Sequence, residues 1–456
     1  MDYSAANVSL WNPAIQIGII AMMILIANIL RRKISVVRKS MIPTAVLAGF
    51  ILLFAKSVGI IKLDITLMET LTYHGIAIGF IALSLRIPDK TEDEKGSLVG
   101  LKSGAVIVSS YMIQAITGLV ITIVLGFTLL PNLFKASGIL LPMGYGQGPG
   151  QANNIGSSYE SLGMVGGRSF GLAIAAAGYL CACIVGVFYI NYLAKKNKIT
   201  QIDHAKNTEE LTIDSFQHEG EIPIAESIDR LSIQVCLVLL VYLITFVVIR
   251  GITGGLSTFA PGLGNVVNSL FWGFNFIFGS AFAILIRSIL KKLRVYKVMT
   301  HQYQNNYLLS RISGLAFDIM IVAGIGSIEF EDLSGLWVPF ILMIVAGAIV
   351  TLLHLSVVCK WVYKDYYYEG LVSMYGMMTG TISSGVLLLR ELDPMAETPA
   401  ANNLVVGSSF GILLGAPLLI LVSLAPKSDM MTFVVLGIVI VYYFILLMIT
   451  RLKMNK

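Results

Sequence analysis

Charge is scarce in this chain. Asp, Glu, Lys and Arg make up 13% of its 456 residues, against roughly a quarter in soluble globular domains. Hydrophobic residues make up 56%, more than a soluble core absorbs, so the composition describes a polytopic membrane protein set in a lipid bilayer. The net charge of +6 belongs to loops and carries no signal for nucleic acid. Cysteine is also sparse: Cys181, Cys183, Cys236 and Cys359 lie in apolar runs without metal-ligand spacing and read as packed thiols, not disulfides. No nucleophile stands with its base and no Gly-rich loop ends in Gly-Lys-Ser/Thr, so nothing points to an enzyme, and no cofactor is implied. The first apolar segment has its basic residues after it and no small-residue cleavage site, which reads as a retained helix, not a signal peptide.

What the chain has in quantity is apolar length. A hydrocarbon core about 30 Å thick needs about 20 apolar residues at 1.5 Å each. Such windows recur near residues 14–30, 41–61, 71–86, 104–130, 168–193, 231–250, 265–287, 307–328, 335–358, 403–424 and 430–450, which predicts an all-α fold of about 11 transmembrane helices. Basic residues cluster after the first (Arg31, Arg32, Lys33, Arg38, Lys39), fifth (Lys195, Lys196, Lys198), seventh (Arg287, Lys291, Lys292, Arg294, Lys297) and ninth (Lys360, Lys364) windows and at the end (Arg451, Lys453, Lys456). All fall on the cytoplasmic side if the N-terminus is outside and the C-terminus inside.

Against that background, Met143 to Glu160 stands out, with glycines at 144, 146, 148, 150 and 156 and Pro149 among them. Each interior Gly costs a helix about 1 kcal/mol relative to Ala and Pro about 3, so the stretch breaks. Broken backbone at membrane depth is tolerated only where protein buries it or where it lines a wet cavity. A second such stretch, Met374-Tyr-Gly with Gly380, parallels Gly144-Tyr-Gly with Gly150, and Ser409-Phe-Gly parallels Ser169-Phe-Gly in the same order. The only long polar stretch, 194–230, divides the two copies and reads as a cytoplasmic linker. Five helices precede it, so the second copy enters with opposite topology, an inverted repeat. The predicted layout is a first repeat 1–193 with a re-entrant hairpin at 138–163, the linker, a second repeat 231–424 with a re-entrant hairpin at 368–394, and an extra C-terminal helix in 425–456.

The candidate site residues follow. In the first hairpin they are Gln147, Gly148, Gly150, Gln151, Asn153 and Asn154, beside Ser157 and Ser158; in the second, Thr379, Gly380, Thr381, Ser383 and Ser384. Neutral oxygens and amides suit a partly dehydrated sodium ion and a solute's hydrogen-bonding groups, and half-helix N-termini favour a carboxylate. The competing reading has them capping broken helices. Asp318, in the middle of the eighth window, marks an ion or substrate contact or a proton relay by default; the alternative is a structural pair with a buried Lys or Arg. His74 and His354 read as interfacial or packed. Arg168 and Arg390 flank the hairpins, placed either to attract an anion or to snorkel to the interface. The leading reading is a sodium-coupled carrier of a small amino acid or carboxylate, and the alternative a proton-coupled carrier with Asp318 titrating.

The duplicated Gly-rich hairpins, the central linker and the inverted halves resemble the bacterial glutamate:sodium symporter family. The likeness extends to Ile42-Pro43 before Ala48-Gly49 and to Lys364-Asp365-Tyr366 leading into the second hairpin. Where that family carries Gly-Gly-His-Gly-Thr-Gly-Ala-Ala, this chain has Tyr145-Gly-Gln-Gly-Pro-Gly-Gln-Ala152; Thr379-Gly-Thr-Ile382 stands for Thr-Pro-Thr-Ala. The resemblance implies sodium-coupled symport of an anionic amino acid such as glutamate. It also implies an elevator-like movement against a dimeric scaffold, hence a homodimer, in the bacterial inner membrane.

Overall fold

The structure is a computed structural model that describes residues 2–4, 6–39, 42–87, 94–196, 230–259, 271–272, 275–299, 301–389, 391–393 and 398–452. Most of the expected linker, together with Arg390 and the side chain of Ser383, lies outside these residues.

The described residues are mostly helical, with no strand among them. Besides a five-residue helix at Ser35–Lys39, the α-helices in order are α1 Val8–Lys33, α2 Thr44–Ser57, α3 Ile65–Leu85, α4 Glu94–Phe127, α5 Leu140–Tyr145, α6 Pro149–Glu160, α7 Gly167–Lys195, α8 Arg230–Phe259, α9 Asn275–Val295, α10 Asn306–Gly326, α11 Trp337–Val362, α12 Tyr367–Thr379, α13 Ile382–Leu389, α14 Ala400–Leu424 and α15 Asp429–Thr450. Among the described residues nine of these are long and apolar enough to cross a membrane: α1, α3, α4, α7, α8, α10, α11, α14 and α15. The protein is therefore an all-α polytopic membrane protein. The other two expected windows also form helices, but of different character. α2 has 14 residues, about 21 Å at the helical rise, and the C-terminal half of α9 carries Arg287, Lys291, Lys292 and Arg294, which lowers its apolarity.

Helix ends follow local chemistry. Asn7 caps α1 by accepting from the Leu10 amide, and Arg31, Arg32 and Lys33 fill its last turn, where the helix dipole favours cations. Ser428 caps α15 in the same way from the Met431 amide, with Asp429 in the first turn.

By contacts the chain forms two compact units. The second contains 71–90 and 203–320. Its core is Ile81, Ala82, Leu85, Val238, Val241, Ala283 and Leu309, from α3, α8, α9 and α10. Polar contacts run beside that core: Tyr73 donates to the Trp272 carbonyl at 2.7 Å, and His74 Nδ1 lies 2.6 Å from Tyr242 Oη.

The first unit contains the rest and holds both Gly-rich segments. Each segment has the same element order: a long helix, two short helices and a long helix, that is α4, α5/α6, α7 and α11, α12/α13, α14. α4 is the central helix of the unit, packing on α14, α11 and α15, while α11 also touches α7. Apolar packing fills the space between: Val106, Ile107, Leu355, Val358, Tyr363, Leu371, Met374, Tyr375, Met378 and Leu404 form one buried cluster. Close approach depends on missing side chains. A Cβ on Gly178 of α7 would strike the Thr379 carbonyl at the end of α12, so only Gly lets the two backbones touch.

Candidate functional site

The first short helix of each pair is buried. Residues Leu140–Tyr145 of α5 and Gly370–Thr379 of α12 are buried without exception. Each pair breaks where the sequence places its glycines. At the first break Gly148 adopts φ +86°, ψ −174°, a conformation essentially reserved for glycine, and Pro149 opens α6 at its first position, where a missing N–H costs nothing. At the second, α12 ends at Thr379, Gly380 follows with φ −138°, ψ −108°, and α13 begins at Ile382.

The two breaks meet. A Cβ built on Gly148 would lie 3.7 Å from Tyr179 Oη and 3.9 Å from Thr381 Cγ2, so the tip of the first pair faces the tip of the second with Tyr179 of α7 alongside. Fully buried polar atoms accompany these tips. Gln151 Oε1 and Nε2, Asn153 Oδ1, Thr381 Oγ1, Ser384 Oγ and Tyr375 Oη have no hydrogen-bond partner among the described residues. A buried polar group left unsatisfied costs about 1–3 kcal/mol, so this set is expensive unless something binds it. Thr379 is different: its hydroxyl donates to the Tyr375 carbonyl at 2.8 Å and so serves its own helix.

Of the expected site residues, Gln151, Asn153 and Asn154 are buried on α6, and Gly148, Gly150 and Gly380 are buried in the backbone of the breaks, with Gln147 partly exposed. Ser158 is exposed at the far end of α6, away from the tip. Asp318 lies on α10, in the second unit. It is exposed, and no ion pair with it is found among the described residues, so the structural pair with a Lys or Arg has no counterpart there. Arg168 neither snorkels nor stands free: it contacts Glu69 at 2.9 Å and Glu329 at 3.4 Å, with its side chain 8% exposed. Its backbone N–H donates to Glu160 Oε1 at 2.9 Å, tying the end of α6 to the start of α7. His354 is packed as expected, 3.2 Å from Ser109 and 3.1 Å from Tyr443. The four cysteines are free, and Cys236 is exposed where a packed thiol was expected. Among the described residues no group of three or more His, Cys, Asp or Glu is placed to hold a metal ion.

Sequence reading missed several residues at this site. Tyr145 donates its hydroxyl to the Ile344 carbonyl at 2.7 Å, anchoring the first pair to α11. Tyr179, Tyr375 and Gln114 are buried against the breaks. The available signal was a polar side chain inside an otherwise apolar window.

This arrangement of paired broken helices in a polytopic membrane protein is that of a solute carrier. Residues 12–383 match the family described as sodium/glutamate symporter, and the chain belongs to that family. The matched range runs from α1 into α13 and takes in both breaks. The family is one of membrane transporters, not enzymes, which agrees with the absence of catalytic motifs in the sequence. No curated protein matches the chain significantly.

Proposed function

We propose that this protein is a sodium-coupled symporter for glutamate or a closely related anionic amino acid or carboxylate, and that the solute and sodium bind where the two breaks face each other. The observation that carries this reading is the close approach of the two tips, with Thr381 Cγ2 3.9 Å from the Cβ position of Gly148, set among buried polar atoms without partners among the described residues. The chemistry fits both cargoes. The N–H groups of Gly150 and Gln151 lie in the first turn of α6, where amides have no intrahelical acceptor, and the positive end of that helix attracts a carboxylate. The last carbonyls of α12 have the opposite polarity and suit a dehydrated cation.

The two segments act as an inverted-topology repeat, one hairpin opening to each face, with the N-terminus outside and the C-terminus in the cytoplasm. The shared element order of the two segments supports this symmetry. Alternating access then comes from an elevator-like movement of the hairpin-bearing part in a homodimer of the bacterial inner membrane, with no cofactor beyond the coupling ion.

A proton-coupled carrier of another solute is the second reading. It rests on Asp318, whose exposed carboxylate in an apolar helix has no cation partner among the described residues. Uptake of labelled glutamate into proteoliposomes, with and without an inward sodium gradient at two pH values, separates the two. Sodium-driven uptake at both pH values supports the first; uptake driven by a proton gradient without sodium overturns it.

A further inference from the structure

Gln114 belongs to neither glycine-rich segment, yet it bonds to the second and lies beside the first. It sits in the middle of α4 and is fully buried. Its Nε2 donates to Thr351 Oγ1 of α11 at 3.0 Å and to the Met378 carbonyl of α12 at 2.9 Å. That carbonyl is one of the last four of α12, which have no partner within the helix. A carbonyl only accepts, so the atom facing Met378 must be the amide nitrogen, and both of its hydrogens are used. The orientation of the amide follows from the chemistry of its neighbours. Oε1 is therefore held on the opposite side, where it is buried without a hydrogen-bond partner among the described residues and lies 3.2 Å from the Cβ position of Gly146, two residues before the break at Gly148.

A preoriented amide oxygen, buried and without a donor among the described residues, beside the C-terminal end of one broken helix and the tip of another, is suited to a weakly hydrated cation. Oxygen dipoles of this kind replace the hydration shell of alkali ions. We propose that Gln114 Oε1 is a direct ligand of the coupling sodium ion and that the same residue, through Nε2, registers the end of α12 against α11. This rests on the reading of the facing breaks as the cargo site. It adds a ligand from outside the glycine-rich segments, on α4, which joins ion occupancy to the position of both hairpins.

The test is the thermal stability of the purified full-length protein in nanodiscs, titrated with sodium chloride against choline chloride at constant ionic strength, without solute. The wild type is stabilised by sodium and not by choline. Gln114→Met, similar in shape but without the oxygen, raises the half-maximal sodium concentration at least tenfold. Gln114→Asn, which keeps the amide but withdraws its oxygen by about 1.5 Å, also raises it. Thr351→Val removes one Nε2 acceptor and leaves Oε1, and keeps the wild-type midpoint within twofold. An unchanged midpoint in both Gln114 variants overturns the ligand assignment while leaving the cargo site standing. Equal shifts in Gln114→Met and Thr351→Val also overturn it, because packing alone then accounts for the effect. A wild type indifferent to sodium overturns the assignment and the sodium-coupled reading together. If Gln114→Met does not fold, Gln114→Asn decides alone: a raised midpoint supports the ligand and an unmoved one refutes it.

Discussion

Gly148→Ala is the sharpest perturbation of the first break, because space and backbone make opposite demands there. A methyl group fits: its nearest neighbours would be Tyr179 Oη at 3.7 Å and Thr381 Cγ2 at 3.9 Å, ordinary van der Waals contacts. The backbone does not accept it. At φ +86°, ψ −174° a residue with a Cβ carries about 1–3 kcal/mol of strain. At 1.36 kcal/mol per factor of ten, the correctly formed tip becomes roughly 5- to 150-fold rarer relative to relaxed alternatives. The initial rate of solute uptake, normalised to inserted protein, falls by a factor in that range. Gly148→Val adds carbons about 1.5 Å beyond the Cβ, into the Tyr179 and Thr381 contacts, and abolishes uptake. Gly163 supplies the control: its φ is +101° and nothing lies within 4 Å of a Cβ there. Gly163→Ala therefore carries a comparable backbone strain away from the tips and transports at nearly the wild-type rate. Wild-type uptake by Gly148→Ala, or an equal loss in Gly163→Ala, refutes the claim that the strained break forms the site.

Three further outcomes are expected. Arg168→Gln leaves Glu69 and Glu329 without their cation; because those carboxylates are 36% and 42% exposed, the cost is discounted for solvent to about 1–2 kcal/mol, read as a fall of a few degrees in thermal unfolding. Asn153→Ala raises the apparent KM for the solute several-fold with little change in maximal rate, measured by uptake at saturating sodium; an unchanged KM removes Asn153 from the solute contacts. Asp318→Asn alters the ion dependence of uptake, followed as sodium and pH titrations of initial rate; identical titrations exclude Asp318 from coupling.

The apolar windows and the broken stretches were legible because both are local. A run of about 20 apolar residues signals its own helix, and a glycine cluster with Pro149 signals its own break. Expected windows at 168–193 and 430–450 became Gly167–Lys195 and Asp429–Thr450, within two residues at each end, whereas those at 104–130 and 231–250 became Glu94–Phe127 and Arg230–Phe259. Partner identity is not local. Gln114 finds Thr351 and Met378, 237 and 264 residues away, and in the sequence it is a lone amide in an apolar run. Arg168 looked like an interfacial cation because nothing near it in sequence announces Glu69 or Glu329. Thr379 looked equivalent to Thr381 in a Thr-Gly-Thr triplet, yet one hydroxyl is spent on its own helix and the other is not. The exposure of Asp318 was equally hidden, since periodicity in a helix apolar on every side does not say which face is covered.

The most direct test of the facing-tip site is equilibrium binding of labelled glutamate to the purified protein in sodium, comparing the wild type with Gln151→Met, which keeps the length of the side chain and removes its two unpartnered polar atoms. At least a tenfold loss of affinity in the folded variant is the predicted result. Equal affinity in the two proteins contradicts it and places the solute elsewhere in the molecule.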